Sequence, residues 1–233
     1  MSTYFTIGHS THLIGEFITM LLTEKIEMIV DVRTIPRSRT NPQFNCDTLP
    51  IALAQHGIEY VHITELGGLR GRQPRVNPSP NTFWHNVSFR NYADYALSDG
   101  FQAGLQHLKR LGESRRCVIM CAESLWWRCH RRIIADYLIL AGATVVHIMD
   151  QGRTIAARAT SAAHMKLDGK IVYPDPDQKT VGASASAENL HRQVERWVNE
   201  GGAGGEDNSS SMSDKADVRS RNGNRGLIAQ RLM

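Results

Sequence analysis

The side chains best suited to covalent chemistry in this sequence are Cys121, Cys129, His130 and Arg131, all within CVIMCAESLWWRCHRR (residues 117–132). Two thiols, an imidazole and a guanidinium are the groups from which a stabilised thiolate is built. The apolar run at 118–120 reads as a buried strand that Cys121 ends, and Cys129-His130-Arg131-Arg132 opens an apolar-periodic helix. A cysteine between a strand's carboxyl end and a helix's amino end meets free N–H groups and the positive end of the macrodipole. Both favour the anion. Cys121 is therefore a candidate nucleophile, with a buried structural thiol as the alternative, because free cysteines are among the most buried residues.

Other groups could serve the same sulfur. His9, after an earlier strand, could draw the thiol proton, and Glu123 could act as acid or base or merely favour the helix start. Ser10 could contact a substrate, although capping the next helix is its simpler role, which Thr11 could also fill. Cys129 either packs into the core or joins the site. His130 either caps locally or contacts substrate. The spacing Cys-x7-Cys-His lacks the two-residue interval of zinc knuckles, so neither a metal nor another cofactor is assigned; a metal-supported structural site is the third reading.

Arginines cluster beyond the apolar runs: Arg33, Arg37 and Arg39; Arg70, Arg72 and Arg75; Arg128, Arg131 and Arg132. If the strands are parallel, these groups meet at one edge and form an anion-attracting cleft, the place where ligands bind open α/β sheets. Solvated surface charge is the plainer reading of any single arginine. Asp31 and Arg33 could form an ion pair that fixes the loops. Arg131 is suited to a phosphate or carboxylate beside helix N–H groups. Trp126 and Trp127 could stack a base or form an apolar lid, while His62 and His147 fall within strands and read as core or rim residues.

The elements that must position these groups alternate. Strands are expected at 4–7, 28–32, 58–63, 118–120 and 144–149, and helices at about 13–22, 48–56, 83–111 and 133–140, with a small hairpin or strand at 170–173. A Gly/Pro/Asn-rich excursion runs from Gly67 to about Asn81, a length typical of functional lids or of disordered segments. This alternation predicts an α/β fold: a three-layer, mostly parallel sheet with helices on both faces. One domain is expected over 1–178, an amphipathic helix over 179–200, and a disordered tail over 201–233, where apolar residues are few. At 233 residues, 41% hydrophobic and 21% charged, the composition is that of an ordinary globular chain. No apolar run approaches membrane length and no signal-peptide pattern opens the chain. Four unevenly spaced cysteines suit reduced thiols, so a cytoplasmic location is expected. The net charge of +4 is mild.

Four segments together, TIGHS (6–10), VDVRTIPRSRTNPQFN (30–45), ELGGLRGR (65–72) and CAESLWWRCHRR (121–132), resemble the family catalogued as domain of unknown function 488, over roughly residues 3–175. That resemblance implies the fold and marks the site, and its name carries no reaction. A weaker similarity is to rhodanese sulfurtransferases: Asp31-Val32-Arg33 after one strand and Cys121 after a later one follow their order, although the loop from Cys121 to Arg128 is longer than the rhodanese cradle. The expected function is a cysteine-dependent enzyme, a transferase or hydrolase, acting on a phosphate-bearing or nucleotide-like molecule. Cys121, His9 and Glu123 would be catalytic, and Ser10, Asp31, Arg33, Arg37, Arg70, Cys129, His130 and Arg131 would bind substrate. The alternative is a nucleic-acid-binding module using the arginine groups and the aromatic loop.

Overall fold

The computed structural model describes residues 2–176. In chain order these form β1 (Thr3–Gly8), α1 (Ile14–Thr23), β2 (Met28–Asp31), α2 (Leu49–Ala54), β3 (Glu59–His62), α3 (Val87–Tyr95), α4 (Asp99–Ser114), β4 (Cys117–Cys121), α5 (Arg131–Leu140), β5 (Thr144–Asp150), β6 (Arg153–Ala156), β7 (His164–Met165) and β8 (Ile171–Val172). The main sheet has the order β3-β2-β4-β1-β5-β6. Its first five members run parallel and β6 returns antiparallel to β5. The fold is α/β, with a mostly parallel sheet between two helical layers.

Strand alternation assigns each side chain to a layer. Met28, Val30, Cys117, Ile119 and Cys121 pack with Phe101 and Leu105 of α4 and Ile133 and Ile134 of α5. Phe5, Ile7, Ile29, Val118 and Met120 pack with Phe17 and Leu21 of α1 and with Leu49 and Leu53 of α2. Burial of each such side chain contributes about 1.5–3 kcal/mol before chain entropy is counted. Because β4 is central and buried on both faces, its run of apolar residues is continuous rather than alternating.

Some elements differ from the sequence expectation. The helical stretch expected over 83–111 is two helices, since Ser98 accepts the N–H of Phe101 and starts α4 afresh. β6 was not expected; Gly152, at φ +69°, makes the tight turn that leads into it. Ser10 and Thr11 do not cap α1. That helix begins at Ile14, the Leu13 N–H donates to the Glu16 carboxylate at 3.3 Å, and Ser10 sits in the left-handed region at φ +46°. The small hairpin or strand expected at 170–173 is present as β8, which pairs antiparallel with β7 in a separate two-stranded sheet. The expected helix over 179–200 and tail over 201–233 lie outside the described residues. Among the described residues, no helix is long and apolar enough to cross a membrane.

Candidate active site at the carboxyl edge of the sheet

Parallel pairing brings the ends of β1, β2 and β4 to one edge, and backbone bonds continue the ladder past them. The His9 N–H donates to the Cys121 carbonyl at 2.9 Å, the Ser10 N–H to Ala122 at 3.0 Å, and the Val32 N–H to Met120 at 3.0 Å. Residues 122–128 then loop back through a 3-10 turn, Trp126–Arg128, to α5, whose first residue is Arg131. This return closes the sequence gap between Cys121 and Cys129, and their ligating atoms lie with that of His130 in one cluster within 4.8 Å.

The cluster is tightly held. Nδ1 of His130 lies 3.9 Å from Cys121 Sγ and 3.6 Å from Cys129 Sγ. Its Nε2 donates to the Val32 carbonyl at 3.0 Å, which fixes the proton on that nitrogen and leaves the Nδ1 lone pair facing the two sulfurs. Arg131, 1% exposed, donates Nε–H to Cys129 Sγ at 3.2 Å and Nη2–H to the Glu123 carbonyl. Burial pushes the Cys129 thiol up. The cysteine neighbour Cys121 and the charge of Arg131 outweigh it and hold Cys129 well below the ordinary thiol value. Cys121 moves the opposite way, raised by its hydrogen bond to Cys129 and then by burial. The guanidinium of Arg131, in contact with Cys129, thus favours negative charge on Cys129 over Cys121.

Glycine makes room for this arrangement. A Cβ on Gly68 would overlap the His130 imidazole, and one on Gly8 would overlap the backbone of Glu123. Gly68 of ELGGLRGR therefore lets the loop close against His130, while Gly67 packs against Thr34. His130 also meets Tyr92 edge to face, with ring centroids 5.0 Å apart.

Cys121 and Cys129 are 9% and 3% exposed, and both line a cavity of about 320 Å³. Ile35, Leu69, Phe89 and Tyr92 supply its apolar walls and Arg128 its rim. A second, wider cleft, lined by Ser10, Arg37, Thr40 and Asn41, lies against the same Cys121–Glu123 segment.

The expected site residues divide into those at the sulfurs and those that brace the loops. His9 lines the second cleft, with Nδ1 donating to the Ser10 carbonyl at 2.9 Å and Nε2 facing Arg33 Nη1 at 3.2 Å, so neither nitrogen faces a sulfur. Burial lowers its pKa to about 4. Arg33 spends its guanidinium on Asp31 (2.6 Å) and the Phe44 carbonyl (2.7 Å), and Tyr60 adds a 2.7 Å bond to the same Asp31. Arg70 lies over the Tyr95 ring and donates to the Thr64 and Gly67 carbonyls. Arg37 pairs with Asp47 on the surface. Glu123 accepts the Leu125 N–H at 3.1 Å and so shapes the loop. Among the described cavity-lining arginines, Arg128 is the one without a protein partner for its guanidinium.

The reading from sequence overlooked Gly68, Phe89, Tyr92 and Val32. The glycine pair was a usable signal; the others come together only through tertiary folding. Trp126 stacks on His147, centroids 4.3 Å apart, rather than facing either cavity, and Trp127 is exposed. His62 donates to the Arg33 carbonyl at 2.8 Å.

Comparison with known families finds a match over residues 13–138 to the family described as Domain of unknown function DUF488, more than half of the chain. The match contains the Asp31–Arg33, Gly67–Gly68 and Cys121–Arg132 segments. No curated protein matches. No solved structure matches either, and the weaker similarity to rhodaneses gains no support.

Proposed function

We propose, for a chain that belongs to the DUF488 family of unknown function, a cysteine-dependent enzyme whose reactive centre is the Cys121–Cys129 pair with His130. The observation that carries this reading is the cavity floor. There the Cys129 sulfur accepts from Arg131 at 3.2 Å, beside a space large enough for a small organic molecule. The proposal moves the emphasis from Cys121 to Cys129 as the anion, with His130 rather than His9 as the imidazole that manages the thiol proton.

The walls favour a substrate with a flat or apolar body against Phe89 and Leu69 and an anionic group within reach of Arg128. A phosphate-bearing or nucleotide-like molecule fits that description. The nucleic-acid reading has less support, because Arg33, Arg70 and Arg131 are committed to partners inside the protein.

Alkylation tests the proposal. Iodoacetamide treatment of the folded, chelator-dialysed chain, followed by peptide mapping, is expected to label Cys129 or Cys121 well before Cys117. The thiol of Cys117 is sealed in the core and pushed up to about 11 by burial. Labelling of all three only after unfolding overturns the reading.

A further inference from the structure

We infer that Cys121, Cys129 and His130 form a three-ligand site for a thiophilic divalent cation, zinc in the first place, with its remaining coordination position open to the cavity. This deepens the reading above, since it rests on the cavity being where substrate enters.

The geometry fits. A tetrahedral zinc with Zn–S near 2.3 Å and Zn–N near 2.0 Å sets sulfur and nitrogen about 3.5 Å apart. The two separations here are 3.6 and 3.9 Å. With the His130 proton on Nε2, the Nδ1 lone pair and two sulfurs, three electron-pair donors, converge on one another. A cation accepts all three donors at once.

The surroundings are those of a ligand set. The non-ligating His130 nitrogen is anchored on the Val32 carbonyl, the arrangement that orients metal-bound imidazoles, and the Arg131 Nε–H on Cys129 would temper the charge of a coordinated thiolate. Two thiolates and a neutral imidazole balance a dication. Two sulfurs and one nitrogen select a soft or borderline metal over calcium or magnesium. The three ligands come from the end of β4 and the approach to α5 and line the cavity that Leu69 and Phe89 also wall, and among the described residues no fourth Cys, His, Asp or Glu joins them. Sites with three protein ligands and one open position are the catalytic kind, in which water or a substrate oxygen takes the fourth place.

The test uses the full chain, purified without chelator. Elemental analysis is expected to find about one zinc per chain, as a single set of three protein ligands implies. Cobalt(II) added to the stripped protein should give a thiolate-to-metal charge-transfer band and the intense visible bands of a tetrahedral ion. Cys129→Ser and His130→Ala should each abolish the band, while Cys46→Ser and Cys117→Ser keep it. The cobalt spectrum of the unaltered chain does not depend on any variant folding. Absence of both zinc and a cobalt band, or a band that survives loss of His130, overturns the inference. Labelled sulfurs in a chain that binds no metal would leave the proposed thiol chemistry standing and remove only the metal. Metal binding without labelling would do the reverse.

Discussion

The imidazole of His130 reaches the carbonyl of Val32, 98 residues away in sequence, at 3.0 Å, and so ties the start of α5 to the end of β2. That bond decides which nitrogen of His130 faces the sulfurs. The site is therefore sensitive to anything that displaces the ring.

Gly68→Ala is the most direct displacement. Its added methyl would overlap the imidazole, whereas a methyl on Gly71 meets nothing within 4 Å. Gly68→Ala should cost about 1–3 kcal/mol of stability by overpacking and weaken cobalt binding. Gly71→Ala should stay within about 0.5 kcal/mol. Urea titration of the two variants checks the contrast, and equal stabilities would show that the ring can move aside freely.

Arg33 and Arg37 are close in sequence and opposite in consequence. Arg33→Met strands a fully buried Asp31 carboxylate without its cation, with an expected loss of about 3–5 kcal/mol. Replacing both members, Asp31→Leu with Arg33→Met, should cost less than the single change. A double-mutant cycle measures this, and a double variant no better than Arg33→Met would refute the argument.

Arg37→Ala removes only an exposed pair with Asp47, so its effect on stability should fall within about 0.5 kcal/mol. If Arg37 contacts an anionic substrate from the second cleft, ligand affinity will fall while the midpoint of unfolding stays put. A change in both would mean that the pair braces the loop.

Acid sensitivity should come partly from His147. Burial, reinforced by the charge of Arg131, lowers its pKa from 6.5 to about 4. Below pH 6.5 the unfolded chain takes up a proton that the folded one refuses, so stability is full above that value. It falls between pH 6.5 and about 4 and then levels off. The contribution is on the order of 3 kcal/mol. His147→Gln should flatten the acid limb of a plot of stability against pH. An unchanged slope would assign that limb to other groups.

Much of the architecture was legible because β4 and its parallel neighbours are buried on both faces and read as short apolar runs, and because α1 and α5 show helical spacing. The break at Ser98 was less visible, since the apolar periodicity runs on across it. The site was legible as a region. Cys121, Cys129, His130 and Arg131 were recognisable as a cluster because they lie close in sequence, but the division of labour between the two sulfurs was not. It depends on Arg131 reaching Cys129 rather than Cys121, a matter of tertiary placement. The arginine groups show the complementary limit: sequence placed Arg33, Arg70 and Arg131 after the right strands, yet not the internal acceptors that occupy them.

Cys121, Ala122 and Glu123 belong to the lining of both chambers. Neither chamber can be reshaped alone through those shared residues. A bulkier residue at Ala122 would crowd both together, and a small molecule lodged against this segment in one would be felt in the other.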